Sequence, residues 1–158
     1  MRRISITFLL VVGTALLAGC AYRAQFILVN DSGRPIIVTY QLKDTDELSP
    51  WPMLALSTVK QLEEHNSYDE LPSDRYTVDT ETLLYRTALN DQEVLFLTKI
   101  DLRDIDKEPV FKAGMSEITI KSDIGSISYT GDKVFREFVP SHSGIFPGSP
   151  MRYTLIYK

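Results

Sequence analysis

Cysteine occurs once in the 158 residues and histidine only twice. A single thiol cannot close an internal disulfide, and neither a two-cysteine metal spacing nor a pair of zinc-binding histidines can be written from this chain. Glycine and proline, at eight residues each, are too few and too scattered for a collagen-like or low-complexity polymer. An excess of positive charge is also missing: 17 Lys and Arg stand against 21 Asp and Glu, a net charge of −4. That balance excludes a nucleic-acid partner held by a basic surface. There is no glycine-rich phosphate loop, no nucleophile elbow and no repeat of fixed period. What is left is one globular domain of ordinary composition, 44% hydrophobic and 24% charged, with its hydrophobicity concentrated at the amino end.

Met1-Arg2-Arg3 is a short basic start, and Ile4 to Gly19 follow without a charged residue. A basic segment, an apolar segment and a small-residue end make the layout of a secretory signal peptide. The 16 uncharged residues between Arg3 and Cys20 would span about 24 Å as a helix, short of a bilayer core of about 30 Å. Leu17-Ala18-Gly19-Cys20 resembles the lipobox of bacterial lipoproteins, and the match is complete over its four positions. The resemblance implies acylation of the Cys20 thiol, cleavage between Gly19 and Cys20, and a mature chain that begins at Cys20 with a membrane-embedded lipid. The alternative is a plain signal peptide, or an anchor, with a chance cysteine. Lipidation would consume the only thiol and leave no redox chemistry. Two or three acyl chains, at about 0.8 kcal/mol per buried CH2, anchor stably. Ala21, not Asp, follows Cys20; in the Gram-negative sorting pattern this favours the outer membrane, facing the periplasm.

Without residues 1–19 the chain has 139 residues, and its side-chain charge becomes −6 because Arg2 and Arg3 leave with the signal. The expected organisation is a signal at 1–19, a lipidated amino terminus and short tether at 20–25, and a single domain at 26–158. That domain reads as strands. Phe26–Val29 stops at the turn-forming Asn30-Asp31-Ser32-Gly33, and Ile36–Leu42 alternates with period two. Tyr76–Val78, Leu83–Leu89, Val94–Ile100, Glu117–Lys121, Ser126–Tyr129, Val134–Val139 and Arg152–Tyr157 complete nine, with Thr130-Gly131-Asp132 as a hairpin turn. The pattern predicts an all-β, mainly antiparallel β-sandwich, Ig-like or transthyretin-like, with an N-terminal signal helix and room for one short helix. Met53–Glu64 fits helix and strand equally, since so short a run cannot separate the two periods.

Candidate chemistry is sparse. His65 follows Glu63-Glu64 near a turn, and His142 sits in Pro140-Ser141-His142-Ser143-Gly144, whose serines lack the geometry and the orienting acid of a nucleophilic site. Asp104, Asp106 and Glu108 alternate, but the glycine of a calcium loop is missing and Arg103 and Lys107 offset the charge. Asp44-Thr45-Asp46-Glu47 reads as another solvated acidic turn. No cofactor, metal or catalytic residue is therefore expected. The connection Pro140–Pro150 carries neighbouring apolar residues Ile145 and Phe146, which either plug one end of the sandwich or seat a protein partner. Trp51, between two prolines, poses the same choice. The last strand, Arg152–Tyr157, could offer a free edge to a partner if it pairs on one side only. The lipobox together with Arg34-Pro35-Ile36-Ile37-Val38-Thr39-Tyr40-Gln41-Leu42-Lys43 is similar to the second strand of the small outer-membrane lipoprotein of type VI secretion systems, which implies a transthyretin-like sandwich and a secretion-system role. Taken together, the sequence predicts a lipid-anchored, non-enzymatic envelope protein with a binding or assembly surface near the membrane and a protein partner in the envelope. The alternative is an envelope enzyme with a carboxylate-based site that no motif announces.

Overall fold

The computed structural model describes residues 22–43, 51–102, 115–142 and 151–158. In chain order the strands are β1 (Tyr22–Asn30), β2 (Ile36–Leu42), β3 (Trp51–Thr58), β4 (Asp69–Glu70), β5 (Tyr76–Asp79) and β6 (Leu84–Leu89). They continue with β7 (Glu93–Leu102), β8 (Met115–Lys121), β9 (Ser126–Thr130), β10 (Val139–His142) and β11 (Met151–Tyr157). Two short helices, α1 (Val59–His65) and α2 (Asp132–Arg136), and a 3-10 turn at Ser73–Arg75 join them.

Two segments are apolar at every position, Phe26–Val29 and Val94–Leu97. Uninterrupted runs of this kind belong to strands covered on both faces. They are the neighbours β1 and β7 at the centre of a six-stranded sheet ordered β10-β11-β1-β7-β3-β4. β2 and β6 alternate buried and more exposed positions instead. They belong to the second sheet, ordered β5-β6-β2-β8-β9, where the outward positions of β2 are half-buried and those of β6 exposed. Every pairing between described strands is antiparallel except that of β1 with β11, which runs parallel from Ala24 opposite Met151 to Asn30 opposite Tyr157. The main core fills the space between the sheets. Phe26, Leu28, Leu95, Leu97 and Leu155 from the first meet Val38, Tyr40, Tyr85, Ile118 and Ile120 from the second. The molecule is thus an all-β, mainly antiparallel two-sheet sandwich, as the strand pattern predicts.

Several local expectations change. β1 starts at Tyr22, four residues ahead of Phe26, because Ala24 is itself buried and Tyr22–Gln25 pair with Leu102–Lys99 of β7. Residues 22–25, expected as tether, are therefore sheet. Val134–Val139 is not a strand: residues 132–136 form α2, and only from Val139 does the chain extend. Val134 and Phe138, four residues apart, both turn into the core, a helical spacing, while Val139 is 66% exposed. Thr130-Gly131-Asp132 accordingly leads into a helix rather than closing a hairpin. Gly131 takes the left-handed φ of 55° that the turn requires, and its N–H donates to the Ser116 carbonyl at 2.9 Å. Met53–Glu64 is both strand and helix, split at Thr58. The Thr58 hydroxyl accepts from Gln61 N–H and the Gln61 side chain accepts from Thr58 N–H, each at 3.1 Å, a reciprocal cap that starts α1. Asn66, at a left-handed φ of 51°, ends it. β11 has a neighbour on each side, so it offers no free edge.

The crossing from β6 in one sheet to β7 in the other is clamped by charge. Arg75 holds Glu93 through two parallel bonds, Nη1 to Oε1 at 3.0 Å and Nη2 to Oε2 at 2.7 Å. Glu93 also accepts from the Asn90 backbone N–H at 2.7 Å. Burial alone would push the Glu93 carboxyl up, but Arg75 and Asn90 together hold it below the usual range. A carboxyl depressed on folding adds stability above its unfolded pKa and loses it as pH falls through the folded value. Glu93→Gln is expected to cost about 1–2 kcal/mol at neutral pH, and the urea midpoints of variant and wild type should converge on acidification. A gap that persists unchanged in acid would show that the charge does not carry the effect.

Candidate functional site

The outer face of the first sheet is covered only in part, and this creates the site. Ile27 from β1, Ala55 from β3, and Val94 and Phe96 from β7 form a second buried cluster there. Val59 and Leu62 project from α1 onto the cluster, and Tyr68 lies against the Phe96 ring at 4.8 Å between centroids. α1 reaches across β3 and β7 but leaves an opening toward β1 and β11. The result is a groove of about 290 Å³, walled by Ile27, Val29, Val59, Leu62, Val94 and Ile156. That volume is close to the lower bound of about 300 Å³ for small-molecule sites.

One charged side chain is set into this apolar channel. Arg152 opens the outward-facing row of β11, stands opposite Gln25 of β1, and is only 8% exposed. Its Nε–H donates to the Gln25 side-chain oxygen at 3.4 Å, and Nη2 donates to the Asn66 side-chain oxygen. Among the described residues no carboxylate pairs with it. Burial pulls its guanidinium below its ordinary pKa, although an arginine stays charged at any physiological pH. Asp31 and Glu63, at the groove's rim, are exposed to solvent. The Asp31 carboxylate accepts from the Gln92 side chain at 2.7 Å.

The residues singled out from sequence do not converge. Gly19, Cys20, Ile145 and Phe146 lie outside the described residues, as do the signal segment 1–19 and the acidic stretches at 44–47 and 104–108. His65 ends α1 as an exposed residue. His142 ends β10 opposite Met151, and Trp51 begins β3 opposite Lys99. Among the described residues no three His, Cys, Asp or Glu side chains gather as metal ligands. Nor is any helix there long and apolar enough to cross a membrane. Sequence reasoning missed Arg152. The one available signal was a charge at the head of an otherwise apolar and aromatic strand, and its meaning depends on α1, nearly ninety residues earlier. Set beside known proteins, the sequence matches no family model and no curated protein is significantly similar to it.

Proposed function

We propose that this chain is a lipid-anchored, non-enzymatic protein of the bacterial cell envelope that holds a binding surface close to the membrane. The observation that carries the reading is the distance between Cys20, the lipidation residue of the Leu17–Cys20 lipobox, and the start of β1 at Tyr22. Ala21 alone lies between them, so a lipid on Cys20 would keep the first sheet at the membrane surface instead of on a long leash. In a Gram-negative cell, Ala21 after the cysteine favours the periplasmic face of the outer membrane.

The test is metabolic labelling with palmitate and membrane fractionation of wild type and Cys20→Ser. The expected result is a labelled wild type in the membrane fraction and an unlabelled variant that keeps its signal peptide. An unlabelled wild type whose Cys20→Ser variant fractionates identically would overturn the anchor.

A further inference from the structure

We propose that the groove between α1 and the β1–β11 pair is a binding site for a small aliphatic carboxylate, with Arg152 receiving the carboxylate and the apolar walls receiving the alkyl body. The proposal deepens the binding role above and does not depend on the lipid. Of the five N–H groups of a guanidinium, Arg152 spends one on Gln25 and one on Asn66. Three remain without an acceptor among the described residues. No Arg152 nitrogen is both buried and without a partner, so the unused donors are reached from the groove that the side chain lines, and among the described residues no carboxylate competes for them. The planar fork suits the two oxygens of a carboxylate. Gln25 and Asn66 hold the fork in place, so little side-chain entropy is lost when a ligand arrives.

The walls set the rest of the ligand. Ile27 and Val94 belong to the buried cluster at the groove's base, Val59 and Leu62 come from the helix, and Ile156, 52% exposed, stands along its open side. With Val29, these six apolar side chains offer an alkyl chain contact, while the polar lining residues besides Arg152 are Thr154, Gln92 and the two rim carboxylates. The charge count selects the head group. Among the described residues Arg152 is the only cation in the lining, and Asp31 and Glu63 stand at the rim. One arginine matches a monoanion, whereas a dianionic phosphate would leave a charge unpaired and meet the rim carboxylates. The small volume favours a short chain over a membrane lipid.

Hexanoate, 1-hexanol and hexyl phosphate are suitable probes, titrated into the full chain in phosphatidylcholine nanodiscs and read by 13C-methyl NMR at Val59, Leu62 and Ile156. Hexanoate is expected to shift these signals saturably, with an affinity about tenfold or more above that of hexanol, the loss expected for a charged hydrogen bond. Arg152→Gln should remove that advantage while leaving the hexanol response unchanged. Ile156→Glu, at a half-exposed position that tolerates a charge, should weaken hexanoate and spare hexanol even if Arg152→Gln fails to fold. Equal affinities for hexanoate and hexanol, no saturable shift, or an Ile156→Glu titration equal to wild type would overturn the proposal. Tighter binding of hexyl phosphate than of hexanoate would overturn the choice of head group. Loss of hexanoate binding in a protein that still takes palmitate removes the ligand and leaves the anchor; the reverse result removes the anchor and leaves the groove.

Discussion

Phe26→Ala is expected to destabilise the domain by about 3–5 kcal/mol, the range for deleting a buried aromatic ring. Phe26 is 1% exposed in the centre of the main core. Its ring stacks on Tyr153 at 5.0 Å and 14°, and meets the edge of Phe138 at 5.4 Å and 79°. Those partners come from β11 and from the segment after α2, so one side chain ties the first strand to the last part of the fold. Domains are commonly stable by about 5–15 kcal/mol in total, which would leave the variant marginal. Urea unfolding followed by near-ultraviolet circular dichroism measures the loss, since Tyr153 reports on the same contact. A cost under about 1 kcal/mol would contradict the packing described.

The second large effect is expected at Asn30, which is fully buried where β1 leaves the first sheet. Its side-chain amide donates to the carbonyls of Arg34 at 2.8 Å, Asn90 at 2.9 Å and Leu89 at 3.3 Å. Its side-chain oxygen accepts from the Ser32 hydroxyl at 2.7 Å, and its main-chain carbonyl from Gln92 N–H at 2.7 Å. Two of the crossings between the sheets, 31–35 and 90–92, are thus tied to one residue. Asn30→Ala strands buried carbonyls and should cost about 2–4 kcal/mol. Asn30→Asp is the sharper test, because it replaces a donor with an acceptor facing three carbonyls. An aspartate there would have its folded pKa raised above the unfolded value of about 3.9. Its protonated form fits best, so stability relative to wild type should be highest in acid and fall as pH rises through the carboxyl range. Denaturant midpoints of both proteins at several pH values check this, and a pH-independent difference would count against the donor role.

How much of this was legible depended on the range over which each signal acts. β2 was readable residue for residue because Ile36, Val38, Tyr40 and Leu42 alternate toward a core while the other face meets water. The centre of the first sheet was readable as strand from Phe26–Val29 and Val94–Leu97, but covered strands have no alternation, so nothing indicated which face held a helix. Val134–Val139 reads as a strand because four of its six residues, Val134, Phe135, Phe138 and Val139, are β-branched or aromatic, whereas α2 is a single short turn entered through Gly131. The split at Thr58 follows from its cap with Gln61, a local contact that a twelve-residue periodicity blurs. The groove was beyond sequence altogether. It exists because β1, β7, β11 and α1 meet, and no local pattern records that meeting.

The parallel pairing of β1 with β11 also bears on the route by which the chain acquires its shape. Arg152 bonds Gln25 at a sequence separation of 127 residues, a strongly non-local contact. A polypeptide delivered amino end first would present Phe26–Val29 to water early, and the strand's second neighbour would arrive only with Met151–Tyr157. Topologies of this kind fold slowly, and their unpaired edges invite association while they wait. β1 is therefore completed only by β11, which makes the interval between emergence of these two strands the period of greatest exposure of β1 to aggregation and proteolysis.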